Sequence, residues 1–242
     1  TPVRLLSRSG RIPGAPPGVE TGGVDASNAE ELGRAAAGAA VIVHCATAPY
    51  DRWPELHPPL MTGILGAAER TGAKLVYGDN LYAYGPVNGP IREDSPERPV
   101  GAKGRVRAEV AERLLEAHEL GRIRGVIGRA PDFYGPWARQ AMIGERVVAP
   151  ALRGRAAELI GNIDLPHTHI FIEDFARGLI TLAERDESLG QVWHVPSAPT
   201  RTTRELVEMV FREAGASPRY RIAGPFLVRF LGLFNPLMRE LN

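Results

Sequence analysis

Cysteine is nearly absent: Cys45 stands alone among 242 residues. An intrachain disulfide and a thiolate zinc cluster are therefore excluded, which suits a cytoplasmic, reducing setting. Lysine is almost as scarce. Lys74 and Lys103 are the only two, and every other basic residue is arginine. No stretch reaches about 18 uninterrupted apolar residues, and no charged head precedes an apolar run at the N-terminus, so neither a membrane span nor a signal peptide is expected. No basic block stands out and the net charge is +1, which disfavours nucleic acid as a partner. Internal repeats and low-complexity tracts are missing as well. What remains is a composition of 44% hydrophobic and 24% charged residues, close to the globular average. The length suffices for one sizeable domain, or a domain with a small second lobe.

Hydrophobic patterning gives an α/β reading. Val3 to Leu6 reads as a strand, Val19 to Val24 as a weak one, and Ser27 as the cap of a helix from Asn28 to near Gly38. The apolar run Ala40 to Ala46 reads as a strand buried on both faces. A helix over about 59–70, a strand at Lys74 to Tyr77, a proline-rich loop from Gly85 to Gly101, a helix over about 102–120 and a strand from Ile123 to Gly128 follow. Strands alternating with helices across connections too long for hairpins predict a parallel sheet with helices on both faces. Residues 136–242 read mainly as a lobe folded back on the sheet. It holds a helix over 138–152, strands near 158–161 and 168–172, an amphipathic helix over 174–185, and a helix capped by Thr202 or Thr203. The segment 191–197 is expected to return to the sheet. An apolar helix near Phe226 to Leu233 carries only Arg229 as a basic residue, and reads as buried or partner-facing rather than as a membrane-surface helix.

Several segments in order carry a resemblance: Val41-Ile-Val-His-Cys-Ala46, Tyr82-Ala-Tyr-Gly-Pro86, Arg105 to Leu115, Arg129-Ala-Pro-Asp-Phe-Tyr-Gly-Pro136 and His167 to Ala176. Together they resemble the extended short-chain dehydrogenase/reductases, and more narrowly the NAD(P)-dependent epimerase/dehydratase family, from Val3 to about Leu206. The resemblance implies an α/β fold with a doubly wound, Rossmann-like parallel sheet over residues 1–135 that holds NAD or NADP at the carboxyl ends of its strands, and a lobe over residues 136–242 that mainly binds a small-molecule substrate. One departure stands at the beginning: no glycine-rich phosphate loop precedes Val3. The opening βα unit is thus expected to be missing, and this chain to bind NAD(P) less well than an extended version. By position, Ser7, Arg8 and Arg11 follow the strand that ends beside the adenosine ribose in the family. Their guanidinium groups suit a 2′-phosphate, favouring NADP over NAD, against the alternative of a solvated basic turn. Asp25 matches the adenine-contacting position, or else serves as a helix cap. Ala46, Thr47 and Ala48 match the small residues that let the cofactor lie close, and Pro131 is placed with them. His44 reads as a core histidine.

The family's usual chemistry uses a tyrosine, a lysine four residues later, and a serine or threonine at the preceding strand end. With only two lysines the motif can be searched exhaustively, and Tyr-x-x-x-Lys does not occur. Alignment puts Lys103 at the tyrosine position, Arg107 at the lysine position, and Asn80, with Asp79 beside it, at the serine position. A guanidinium can hold ribose or phosphate but does not relay protons at neutral pH. A neighbouring cation makes Lys103 conceivable as an acid/base, Asn80 can orient a carbonyl, and a desolvated Asp79 could act as a base. Against this stands a structural reading, with Lys103 and Arg107 on an exposed face paired to glutamates and Asp79-Asn80 forming a turn. Tyr77, Tyr82 and Tyr84 flank the same strand end as candidates for a displaced phenol, with Tyr84 reading as structural by its position in the family. In the second lobe, His167 replaces the arginine that clamps a substrate diphosphate, which disfavours a nucleotide sugar. Phe133, Tyr134 and Trp137 would border an apolar substrate space. His167 and His169, two apart on a strand, are expected on opposite faces, and no metal site is expected. The leading expectation is an oxidoreductase or epimerase/dehydratase-like enzyme with a non-standard dyad, compatible with a homodimer. The alternative is a non-catalytic NADP-binding sensor or scaffold.

Overall fold

The structure, a computed structural model, describes residues 2–224. They fall into two compact units, one within Thr1–Arg129 and Leu179–His194, the other within Ala130–Gly178 and Val195–Asn242. The apolar segment at 226–233 lies outside the described residues.

The first unit opens with a parallel pair, β1 (Arg4–Ser7) and β2 (Glu20–Gly23). Helix α1 (Ala29–Ala35) is capped by Asn28, whose side chain accepts from the Glu30 and Glu31 amides. Ser27, the cap expected from sequence, instead donates its hydroxyl to Asp25. β3 (Val41–His44) pairs in parallel with β4 (Lys74–Asn80). It is an edge of the four-stranded sheet in the order β10-β5-β4-β3. Val43 is 47% exposed, which corrects the expectation of a strand buried on both faces. Helix α2 (Trp53–Thr71) starts six residues before the expected 59 and carries Pro58 and Pro59 within it. The two prolines remove two amide donors, yet the buried face Trp53, His57, Met61, Ile64, Leu65 and Ala68 runs through them unbroken. Core packing outweighs the proline penalty.

β4 extends three residues past the expected Tyr77. Its Lys74 is 2% exposed and donates Nζ to the Arg185 carbonyl at 2.5 Å, with the Asp186 carboxylate 3.5 Å away. Helix α3 (Gly101–Glu119) presents Val106, Val110, Ala111, Leu114 and Ala117 to the core. Spacing of three and four residues places them on one face. β5 (Arg124–Ala130) completes this run.

In the second unit, β6 (Asp132–Tyr134) is followed by turns and by α4 (Glu145–Leu152). The helix expected from 138 begins only after Gly144, where an added Cβ would meet the Ala138 and Arg139 carbonyls at 2.5 Å. β7 (Ala157–Ile160), β8 (Pro166–His167) and β9 (His169–Phe171) precede α5 (Ile172–Glu184), within which the two units divide after Gly178. β10 (Val192–His194) belongs to the first unit and pairs in parallel with β5. β11 (Arg201–Thr202) pairs with β8, and Thr202 caps α6 (Thr203–Glu213) through a capping box with Glu205. β12 (Tyr220–Ala223) pairs with β7. A core of Ile143, Val147, Leu159, Ile163, Val207 and Phe211 joins these elements. Among the described residues, no helix is long and apolar enough to cross a membrane.

Candidate functional site

The carboxyl end of β4 supplies Tyr77, Asp79 and Asn80, and α3 lies across it. Lys103 and Arg107 sit one turn apart on α3 and are 7% and 6% exposed. They do not face water, and the carboxylate that Arg107 meets is Asp79 rather than a glutamate. Lys103 Nζ lies 3.8 Å from the centre of the Tyr50 ring, and Arg107 Cζ lies 4.3 Å from that of Trp53. Both are cation–π contacts. Arg107 Nη1 donates to the Tyr77 hydroxyl at 2.6 Å and to Asp79 Oδ1 at 3.3 Å. The other Asp79 oxygen accepts from Arg129 Nε at 2.9 Å, and Arg129 reaches on to Glu97 at 2.6 Å. Tyr84, beneath the Arg129 guanidinium, bonds through its hydroxyl to His194 Nε2 at 2.8 Å. Close approach makes this possible: Gly104, between the two cationic positions, faces the Tyr82 carbonyl, and a Cβ there would come within 2.8 Å of it.

Asp79 is desolvated, but both its oxygens face guanidinium groups, the arrangement of a counter-ion rather than of a free base. Burial pushes the Tyr77 phenol well above its ordinary range, so its hydroxyl stays protonated at neutral pH. Two donors in this cluster, Arg107 Nε and Arg129 Nη2, are buried without a hydrogen-bond partner. Such orphaned donors are costly and rare, and they mark where an oxygen-bearing ligand would be stabilised.

Two imidazoles pack beside the cluster. His44 stacks on Tyr77 with centroids 4.9 Å apart, and His57 meets Trp53 edge-on. Burial, aided by the Arg107 charge, lowers His44 to about 3 and His57 to about 4. An imidazole in the unfolded chain titrates near 6.5. Their stabilising effect is therefore complete above about pH 6.5 and is lost as the pH falls below it, at about 1.4 kcal/mol per pH unit for each imidazole. Urea unfolding midpoints are expected to be flat from pH 7 to 8 and to fall between pH 6.5 and 5. His44→Phe should reduce that slope, and an unchanged slope would show that His44 is not its source.

The cofactor positions expected from sequence, Pro131 apart, lie in the same unit. Ser7 ends β1 with a buried hydroxyl that has no partner, and Arg8 and Arg11 are exposed on the turn that follows. An orphaned hydroxyl beside two cations fits the adenosine ribose end of a dinucleotide. Asp25 is exposed, and the Ser27 hydroxyl and amide hold its carboxyl below the usual range. Ala46 and Thr47 are exposed and Ala48 is half-buried after β3. Asn80 uses its side-chain oxygen to accept from the Tyr82 amide at 3.0 Å, which leaves the amide N–H groups as its donors.

The second unit holds the remaining positions. Pro131 links β5 to β6 and is half-buried. Phe133 packs on Phe175 at 5.0 Å, and Tyr134 on Phe171 at 5.6 Å, each between ring centroids. Trp137 is 79% exposed with φ 68°. His167 Nε2 lies 2.7 Å from Asp132 Oδ2, and this hydrogen bond raises the His167 pKa. His167 and His169 do not point to opposite faces: their ring centroids are 4.7 Å apart. Strand alternation fails because β8 ends at His167 and β9 begins at His169, with Thr168 between them bonded to the Thr200 hydroxyl at 2.7 Å. Tyr50, Trp53, Arg129 and Asp132 were not among the expected site residues. Arg129 and Asp132 stand in a segment that carried the resemblance, whereas nothing in sequence marked Tyr50 or Trp53.

A model of the NAD dependent epimerase/dehydratase family matches residues 7–195. A dTDP-6-deoxy-L-talose 4-dehydrogenase (NAD(P)(+)) of Kitasatospora kifunensis is 30% identical over 157 residues, 62% of this chain and 49% of that protein. The chain thus spans about half the length of this curated relative. Among solved structures, a dTDP-glucose 4,6-dehydratase from Streptomyces venezuelae with NAD bound superposes with a TM-score of 0.77 at 22% identity, covering 88% of this chain and 69% of that one. A UDP-glucose 4-epimerase from Thermus thermophilus in complex with NAD gives a TM-score of 0.75 at 24% identity, covering 92% and 78%. At these identities the likeness shows the fold.

Proposed function

The chain belongs to the NAD dependent epimerase/dehydratase family, and from that premise we propose that it is an NAD(P)-dependent oxidoreductase with a substituted catalytic dyad. Its substrate is a small carbonyl or hydroxyl compound. The observation that carries this reading is the burial of Lys103 and Arg107 together at the end of β4, each over an aromatic face. When bound, the dinucleotide supplies the hydride donor or acceptor. Arg107, through its unpaired Nε, offers a donor for a ribose or substrate oxygen. Asn80 orients a carbonyl with its amide N–H groups. The Lys103 ammonium stabilises oxygen charge as it develops. Asp79 holds Arg107 and Arg129 in place. Hydride exchange between labelled NADPH and a panel of carbonyl compounds tests the reading; Lys103→Met should abolish exchange while dinucleotide binding survives.

NADP is the preferred form, supported by Arg8 and Arg11 beside the Ser7 hydroxyl. Replacing both arginines by alanine should weaken NADPH binding by about 1.5–3 kcal/mol, the range for hydrogen bonds to a charged group, and leave NADH binding unchanged. Fluorescence titration of the two nucleotides checks this. A non-catalytic NADP sensor is the second reading, favoured by the tie of Arg107 to both Tyr77 and Asp79. Binding without exchange on any carbonyl would select it. The relatives named above are enzymes of dTDP- and UDP-sugars. For this chain a nucleotide sugar is disfavoured because His167 is engaged by the anionic Asp132, which would repel a diphosphate. The same reading includes a cytosolic location, supported by the single cysteine, and a homodimer, which sedimentation equilibrium tests.

A further inference from the structure

We propose that Asp132, His167 and His169 form a binding site for a divalent transition-metal ion of the zinc or cobalt type. Three observations converge on it, all within the second unit. First, the parallel ladder between β6 and β9 pairs Asp132 with His169 directly, and residues in register on adjacent strands project to the same face. The break at Thr168 then brings His167 to that face, so that one ligand atom from each of the three residues lies within 4.8 Å of the others.

Second, His169 has the tautomer of a metal ligand. Its Nδ1 faces the His167 carbonyl at 3.2 Å, so the proton resides there and the lone pair is on Nε2. A histidine ligand is commonly oriented by such a bond from its other nitrogen to a backbone carbonyl. Third, that Nε2 is buried, in a residue only 6% exposed, and has no hydrogen-bond partner. A buried lone pair without a donor is unfavourable, and a cation would satisfy it.

Two imidazoles and one carboxylate are the donor set of borderline first-row ions, and are poor ligands for Mg2+ or Ca2+. With metal–ligand distances of about 2.0–2.2 Å, donors in a tetrahedral site lie about 3.3–3.5 Å apart. The present spacing therefore needs side-chain rotation on the order of 1.5 Å or less, with the Asp132–His167 hydrogen bond giving way to coordination. The side chains of Asp132 and His167 are 36% and 40% exposed, so an ion can reach the site from water. Three protein ligands leave at least one position open to solvent or to a small oxygen ligand.

The experiment titrates the chelator-stripped full chain with Co2+, followed by visible absorption, and with Zn2+, followed by calorimetry. Neither readout depends on dinucleotide binding or on activity. One equivalent should bind, and Co2+ should give the intense visible bands of four- or five-coordination. Asp132→Asn and His169→Gln should each weaken binding at least about tenfold, as loss of one ligand does, with far-ultraviolet dichroism unchanged. Asp132→Asn is the decisive variant if His169→Gln does not fold, because Asp132 is half-exposed. Absence of stoichiometric binding, six-coordinate hydrated Co2+ alone, or binding that Asp132→Asn retains at full strength would each overturn the proposal.

Discussion

Replacing Asp79 by alanine is expected to lower the stability of the protein by about 3–5 kcal/mol, the cost of leaving a buried ion pair without one partner. Asp79 is the shared anion of two guanidinium groups, and the side chains of Asp79, Arg107 and Arg129 are at most 7% exposed. Water cannot solvate the cations that remain. Arg129 would keep Glu97, which is itself 37% exposed, whereas Arg107 would retain Tyr77 as its hydrogen-bond acceptor and the Trp53 ring as its other support. Asp79→Asn preserves shape but removes the charge, and should lose most of the same stability. Urea unfolding of the three proteins measures the difference. A loss below about 1 kcal/mol, typical of exposed pairs, would mean that the cluster is hydrated and that Asp79 is not its counter-ion.

Gly85→Ala should cost about 2–5 kcal/mol, from two independent sources. Gly85 follows the 3-10 turn Tyr82–Tyr84 with φ 67° and ψ −162°, a region almost closed to residues with a Cβ. An added Cβ would also come within 2.1 Å of the Arg98 carbonyl oxygen, and a backbone neighbour cannot swing aside. Gly121 has a similar φ of 71° with open space around it, so Gly121→Ala should cost only about 1–2 kcal/mol, the left-handed penalty alone. Equal losses at the two positions would show that the loop backbone at Arg98 yields freely.

The parts of the fold that sequence exposes are those set by one-dimensional pattern. Val106, Val110 and Leu114 repeat at helical spacing, and α3 forms over almost the span they indicate. Leu75 and Val76 mark β4 equally well. Patterns that depend on neighbours in space are invisible. The apolar run Val41–Val43 looks like a central strand, and only the sheet order reveals it as an edge. Pro58 and Pro59 look like a helix boundary, because the packing that carries α2 through them comes from residues distant in sequence. The site divides in the same way. Lys103 and Arg107 emerge from spacing and resemblance, but their ring partners Tyr50 and Trp53 lie about fifty residues upstream, with no local signal. His167 and His169 mislead, since alternation along a strand is assumed to continue through Thr168, where it stops.

Both lysines of this chain are interior residues: Lys74 holds a carbonyl, and Lys103 lies on an aromatic ring. The positive side-chain charge of the surface is carried instead by arginine. Reagents or enzymes that acylate primary side-chain amines therefore meet no target on the native exterior, and any label on Lys103 must report a moment when α3 lifts from its seat. Acylation rate at that amine, resolved from Lys74 by peptide mass, becomes a clock for local opening, with no exposed lysine to compete for the reagent.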